Sequence, residues 1–302
     1  MKAVVLHEYG GPSKLKYEDF PDPVVSAGEV RVRVFAVSVN PVDWKIRSGA
    51  AKERFPMEFP GILGRDLAGV VESVGEGVEG FSIGDRVFAL AQHTYAELCV
   101  VKASDLAHMP EGLDMTAAGT VPLVCLTGDQ LIREAVELQA GQTVLLSGAT
   151  GSVGRCALLA ARELGANVIA GVRKKQVEEA LKLGAVAAID LEDDDDLARV
   201  GLVDAVADTV GGKIAPKLLA KVKPGGTFGS VLGPPRDAEL HPLVRIKPMM
   251  AHPHPETVVH YGEALRDGRL QLPLTEVMPL AEAAAAHSAA EKGGVGKIVL
   301  VP

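Results

Sequence analysis

The stretch Thr143-Val-Leu-Leu-Ser-Gly148-Ala-Thr-Gly151-Ser-Val-Gly154 decides how the rest of the chain is read. An apolar run ends in glycines three residues apart, and an Ala- and Leu-rich segment, 152–164, follows at once. The run predicts a buried strand and the segment predicts an amphipathic helix. Gly148 lets the chain turn sharply out of the strand. Gly151 has no side chain to hold a phosphate off the backbone, and Gly154 lets the helix pack against the sheet. The free N–H groups and positive dipole at the helix start then favour phosphate. No Gly-Lys-Ser/Thr follows, and no Gly-x-Ser-x-Gly elbow occurs here, so a triphosphate loop and a hydrolase nucleophile are both excluded. The loop is therefore read as a dinucleotide site, with Thr150, Gly151, Ser152 and Val153 expected at its centre.

The flanking sequence agrees. From Pro110 onward strands and helices alternate, with helical stretches near 115–137, 175–183 and 214–219. Strands are predicted at 143–147, 167–171, 186–189, 205–208 and 227–232. Such alternation predicts a parallel, doubly wound sheet covered by helices on both faces. Residues 1–115 read differently. Short Val-rich runs are separated by Gly, Pro or Asp, and glycines at 61, 64, 69, 75, 77, 80 and 84 suit a tightly turned barrel. After about Pro255 come a helix at 257–266, an Ala-rich helix at 281–291 and a last strand at 297–301. The expected domains are 1–117, completed by 255–302, and a dinucleotide-binding domain at 118–254. No fixed-period repeat is visible.

At 302 residues, 47% hydrophobic and 23% charged, the chain has the composition of a globular protein with two domains. The net charge of −8 gives no basic surplus for nucleic acid. Cys99, Cys125 and Cys156 are odd in number and widely spaced, which excludes a disulfide framework and fits a reducing compartment. The start, Met1–Gly11, lacks the long apolar core of a secretory signal, and no stretch has the ~20 apolar residues that a bilayer span needs. A cytoplasmic location is expected. Asp190–Asp196 holds six acids in seven positions, read as a solvated loop and helix start. His252 and His254, two apart on one prospective strand face, lack a third convergent ligand and are read as ordinary histidines.

The end of the second strand selects the dinucleotide. An NAD site usually carries Asp or Glu there to hold the ribose 2′-hydroxyl. Here the strand runs into Gly171-Val-Arg173-Lys174-Lys175, with no acid before Glu178. Cations at that place bind a 2′-phosphate, so NADPH is expected, with Arg173 and Lys174 as its clamp.

Several further stretches carry a likeness to a family. They are Val39-Asn40-Pro41-Val42-Asp43, Ile46-Arg47-Ser48-Gly49, Pro60-Gly61-Ile-Leu-Gly64-Arg65-Asp66-Leu-Ala-Gly69 and Gly84-Asp85-Arg86-Val87. Tyr95-Ala96-Glu97, Leu126-Thr127, Asp208-Thr-Val-Gly-Gly212 and Gly296-Lys297-Ile-Val-Leu300 continue the series. With the glycine loop, they make the chain resemble the medium-chain dehydrogenase/reductase superfamily over its full length, specifically the zinc-independent quinone oxidoreductase branch that includes zeta-crystallin. The resemblance implies an α/β protein, with a GroES-like β-barrel catalytic domain plus a Rossmann domain. Zinc-dependent members carry Cys and His where Asn40 and Arg65 stand, and a last ligand near Leu123. Asn and Arg are not ligands of the usual N/S type, so no metal is expected.

The resemblance further implies that Asn40 and Thr127 lie beside the nicotinamide ribose. It extends the cofactor site to Thr209, Val210, Leu232 and Gly233. Pocket tyrosines of close relatives fall on Lys45 and Ala51, which leaves Lys45 as the candidate donor to a developing oxyanion. The expected catalytic set is therefore Asn40, Lys45 and Thr127. The expected reaction is hydride transfer from NADPH to a quinone or to the C=C bond of an enone or enal. Two alternatives stand beside it: a metal-free ketone or aldehyde reductase, and a non-catalytic NADPH-binding protein of the crystallin or RNA-binding kind. A small-molecule substrate and a homodimer are expected, with no membrane or nucleic-acid partner.

Overall fold

The structure is a computed structural model that describes residues 1–294 and 296–302. The chain divides into two compact units, Met1–Leu123 with His252–Pro302, and Val124–Ala251. The first is the GroES-like β unit and the second the Rossmann-type parallel sheet, as expected from the sequence.

In the first unit the strand Glu29–Ser38 is the organiser. Val30, Val32 and Val34 point into the core while Arg31, Arg33 and Phe35 face outward, as the two-residue period of a strand requires. It pairs antiparallel with Asp66–Val74, Leu98–Lys102 and Lys297–Val301. The last of these is nearly all buried, so the end of the chain completes the sheet that the beginning started. A smaller sheet joins Leu15–Asp19, Lys2–Leu6 and Gly61–Ile62. The first 115 residues are not all β. Pro41–Arg47 is a helix, because Pro41 suits the first helical position and the Asp43 carboxylate accepts from the Asn40 N–H at 2.8 Å.

The second unit is a six-stranded, wholly parallel sheet. Its order is Ala187–Asp190, Asn167–Val172, Thr143–Ser147, Val203–Asp208, Val222–Ser230 and Arg245–Pro248. The chain starts at the centre, winds outward, then returns to the other side of Thr143–Ser147. That makes the carboxyl ends of Thr143–Ser147 and Val203–Asp208 the switch point at which doubly wound sheets bind ligands.

The structure corrects three details of the sequence reading. The expected helix at 115–137 is divided into Met115–Ala118, Pro122–Gln130 and a π-helical turn at Leu131–Ala135. Gly119 packs so tightly on Ala36 that a Cβ would lie 2.8 Å from its methyl, and Pro122 bars helical geometry at Val121. His252 and His254 lie on no strand: His254 caps the helix Pro255–Arg266, its ring accepting from the Thr257 N–H. Arg245–Pro248 is an edge strand whose polar, Pro-ended sequence hides it from pattern reading. The acidic run does become a helix start, with the Asp193 carboxylate accepting from the N–H groups of Asp195 and Asp196.

All three cysteines are free and buried. Burial pushes the Cys99 thiol up to about 12. Among the described residues no helix is long and apolar enough to cross a membrane.

Gly128 fixes how the helix Pro122–Gln130 crosses Ser152–Glu163, since a Cβ there would lie 2.6 Å from both the Val153 carbonyl and the Ala157 nitrogen. Gly128→Ala is therefore expected to destabilise the fold by about 1–3 kcal/mol, read as a lower urea midpoint at unchanged slope.

Candidate active site

In the second unit the glycine loop has the form that phosphate binding needs. Gly148 takes a positive φ of 68°, and any Cβ on it would meet the Thr209 hydroxyl at 2.5 Å. A Cβ on Gly154 would fall 2.0 Å from the Gly148 carbonyl. The helix Ser152–Glu163 starts at Gly151, and no side chain caps it. Its first N–H groups therefore stay available to an anion. The loop is held from below: Arg155, buried, donates to the Thr150 carbonyl at 2.9 Å and pairs with Glu179.

Sequence reasoning missed the group that shapes the rest of this edge. The Asp208 side chain is fully buried, and its carboxylate accepts from Ser147 Oγ (2.7 Å), Ser230 Oγ (3.1 Å), and the N–H groups of Val210 (3.1 Å) and Gly211 (3.0 Å). Ser147 Oγ in turn accepts from the Thr209 N–H, and Ser230 Oγ from the Leu232 N–H. Thus Thr209, Val210 and Leu232 are set by one carboxylate at the ends of three strands. The signal was present in the sequence, because an Asp that follows the apolar run Ala205–Ala207 of a central strand must find donors. Gly233 follows with a positive φ of 98°.

Arg173 and Lys174 extend from the end of Asn167–Val172, exposed to solvent. The Gly148 N–H donates to the Gly171 carbonyl at 2.8 Å, which ties this end to the loop. The Arg173 guanidinium has one loose partner, Glu192, at 3.8 Å. That acid escaped the sequence reading because it lies on the next crossover. Thr127 lies on Pro122–Gln130, one residue from the Gly128 crossing.

In the first unit Asn40 is buried, and its amide is largely committed. Nδ2 donates to Asp66 Oδ2 at 2.7 Å and to the Ser38 carbonyl at 3.2 Å, while Oδ1 accepts from Lys297 Nζ at 2.7 Å. The Asp66 carboxylate also accepts from the Leu123 N–H and from Ser38 Oγ. This buried cluster fixes the orientation of the Asn40 amide.

A second chain runs alongside. Arg47, buried, pairs with Glu291 at 2.6 Å and donates toward His287 Nδ1 at 3.4 Å. Because a guanidinium only donates, His287 carries its proton on Nε2 and gives it to the Tyr95 hydroxyl at 3.2 Å. Tyr95 then donates to Asp43 Oδ2 at 3.1 Å. Burial, followed by the charge of Arg47, lowers His287 to about 3. Burial raises Asp43 to about 7, and its Oδ1 has no hydrogen-bond partner among the described residues.

Lys45 and Arg65 are half-buried. Lys45 is pushed below its ordinary range by burial and by the charge of Arg54. Arg65 lies over the Phe55 ring, its guanidinium carbon 5.0 Å from the centroid.

Comparison with known proteins places these features. Residues 26–119 match the alcohol dehydrogenase GroES-like domain, and 183–300 match a family described as zinc-binding dehydrogenase. A quinone oxidoreductase of Pseudomonas aeruginosa is 33% identical, covering 100% of this chain and 99% of its own. A 2-haloacrylate reductase of a Burkholderia species is 30% identical over 99% of this chain and 98% of its own. The crystal structure of the Escherichia coli quinone oxidoreductase complexed with NADPH superposes with a TM-score of 0.88 at 25% identity, covering both chains completely. The chain belongs to the medium-chain dehydrogenase/reductase superfamily, in its zinc-independent quinone oxidoreductase branch. Its members are pyridine-nucleotide oxidoreductases.

Zinc, which one family description raises, does not fit the residues present. Asn40 and Asp66 already share an ammonium, with Lys297 Nζ also 3.5 Å from Asp66 Oδ2, and a guanidinium is no metal donor. Among the described residues no three His, Cys, Asp or Glu side chains are grouped to hold a metal.

Asp43 and His287 give opposite pH dependences. Asp43 is raised from 3.8 to about 7, so the folded state binds the extra proton and stability falls as pH rises through that window. His287 is lowered from 6.5 to about 3, so its contribution is complete above 6.5 and is lost as pH falls towards 3. Asp43→Asn keeps both acceptor contacts and removes only the Asp43 slope. In urea unfolding at pH 5 and pH 8, the variant should gain on the wild type at the higher pH by on the order of 2–4 kcal/mol. An equal difference at both pH values would show that Asp43 does not titrate there.

Proposed function

We propose that the protein is an NADPH-dependent reductase that delivers hydride to a quinone or to the C=C bond of an enone or enal. The uncapped helix start at Gly151, with Arg173 and Lys174 at the end of the neighbouring strand, carries this reading. Thr150, Gly151, Ser152 and Val153 would hold the pyrophosphate. Thr209, Val210, Leu232 and Gly233 would line the remaining dinucleotide, and Arg173 and Lys174 would take the 2′-phosphate. Asn40 and Thr127 would border the nicotinamide ribose, as the family resemblance implies. When bound, the reduced nicotinamide supplies the hydride.

The chain's own task is then to stabilise the charge that appears on the substrate oxygen. Without a Lewis acid the protein needs a hydrogen-bond donor there, and the Lys45 ammonium suits it. A 2-haloacrylate is itself an activated alkene, so that relative supports the C=C branch of the reading. A homodimer in the cytoplasm belongs to the same reading. The sheet ends in Arg245–Pro248, close in sequence to the exposed Leu240, Leu243 and Met250, and all cysteines are reduced.

Three substitutions test the assignment. Arg173→Ala should weaken NADPH by about 10-fold and leave NADH nearly unchanged, while Glu192→Gln, which removes a charge repelling the phosphate, should tighten NADPH. Fluorescence titration at fixed salt reads both. Equal losses for the two dinucleotides would mean that Arg173 supports the loop alone. Lys45→Met should lower kcat by about 10–1000-fold with little change in NADPH affinity. An unchanged kcat would remove Lys45 from the chemistry.

A further inference from the structure

The net charge is −8, yet the helix Pro41–Arg47 and the residues after it carry a local excess of cations. Phe55 is the hub of that excess. Arg65 lies 5.0 Å and Arg54 5.6 Å from its centroid, and the charge of Arg54 is felt at Lys45. Backbone bonds from Ala51 to the Lys45 carbonyl (3.0 Å) and from Phe55 to the Ala51 carbonyl (2.8 Å) fold this segment onto the end of the helix.

Two of these cations lack what partly buried cations normally have. Neither Lys45 nor Arg65 makes a side-chain hydrogen bond or an ion pair among the described residues. No acid bonds directly to Arg65 among the described residues: Asp66 is engaged by Asn40, Ser38 and Lys297, and Asp43, bonded through Oδ2 to Tyr95 and the Asn40 N–H, acts on Arg65 only through its charge. The loop acids Glu53 and Glu58 form no pair with either cation. A half-buried guanidinium whose donors meet no protein acceptor has lost part of its hydration, and an anion that enters its site recovers the cost.

Arg65 is also well anchored. Its carbonyl accepts from the Ala91 N–H at 2.9 Å. Gly64 before it has a φ of 99°, with no room for a Cβ beside the Thr94 hydroxyl at 2.3 Å, and Asp66 after it is wholly buried. The backbone on both sides is fixed, and the cationic head, packed over the Phe55 ring, is left without a hydrogen-bond acceptor among the described residues.

We infer that Arg65 is a specificity-determining residue that binds a carboxylate on the substrate, so that the protein selects unsaturated carbonyl compounds bearing an acid group. The inference rests on the proposed reductase reading and names its substrate class. For an enone acid, hydride from the reduced dinucleotide forms a C–H bond at the β-carbon while the dinucleotide is oxidised. The C=C π bond breaks, and its electron pair moves to the ketone oxygen beside Lys45. Water then protonates the α-carbon. Arg65 holds the carboxylate throughout and takes no part in the electron movement.

The test compares 4-oxo-2-pentenoate with its methyl ester, two enones that differ in charge. Wild type should favour the acid in kcat/KM. Arg65→Met should lower the acid-to-ester ratio by about 10–100-fold, and Arg65→Lys should restore part of it. A second readout needs no turnover: calorimetric binding of 4-oxopentanoate, the saturated acid, against its neutral amide. Wild type should bind the acid and not the amide. This comparison stands even if Arg65→Met fails to fold. Binding of the acid without turnover of either enone would keep the anion site and overturn the reductase reading. Turnover with no acid preference and no acid binding would overturn the Arg65 assignment alone. A parallel loss of NADPH affinity in Arg65→Met would assign the cation to the dinucleotide and also overturn it.

Discussion

The carboxylate of Asp208 sits at the end of a central strand, paired with no cation among the described residues and satisfied by two serine hydroxyls and two backbone N–H groups. A buried anion held by neutral donors alone binds tightly to geometry, because losing any donor exposes the full desolvation cost. The backbone at 209–211 and the serine at the end of the neighbouring strand therefore have one arrangement open to them. The carboxyl edge of the sheet, where the glycine loop turns, inherits its shape from that requirement. Asp66 in the first unit solves the same problem differently. It adds the Lys297 ammonium, and in doing so sets a side chain, Asn40, where Asp208 sets backbone.

The first unit also leaves charges unbalanced. Asp43 has one carboxylate oxygen without a donor, while Lys45 and Arg65 have donors without acceptors. Asp43 and Arg65 feel each other's charge without forming a direct pair among the described residues. Such uncompensated groups concentrate where a protein's work is done, because binding completes what folding left undone.

How much of this was legible in the sequence follows from the range of the interactions. The loop from Thr143 to Gly154 announces itself because strand, turn and helix start are local, and one glycine pattern reports all three. The parallel sheet follows from alternation, and the last strand, Lys297–Val301, was readable to the residue because it is an apolar run between turn residues. The Asp208 hub, the Tyr95–His287–Arg47 chain and the Lys297–Asn40 contact were not readable. Their side-chain partners lie 22 to 257 positions apart, and no local period records such a pairing. Asn40 shows the limit most clearly. The family likeness marks it as a cofactor neighbour, whereas its lysine and carboxylate partners emerge only once the chain is folded. The break at Gly119 was likewise a tertiary matter, set by the approach of Ala36.

The burial of the three cysteines acquires a meaning from the chemistry. Quinones and enones are Michael acceptors, and the residue that they alkylate most readily is an exposed thiolate. Cys99 is 2% exposed with its thiol held up to about 12, and Cys125 and Cys156 have no exposed surface at all. Under the proposed function, a reductase with exposed thiolates would be slowly consumed by its own substrate. All three thiols lie out of reach of any such electrophile, so the core packing that stabilises the two units also serves as chemical armour.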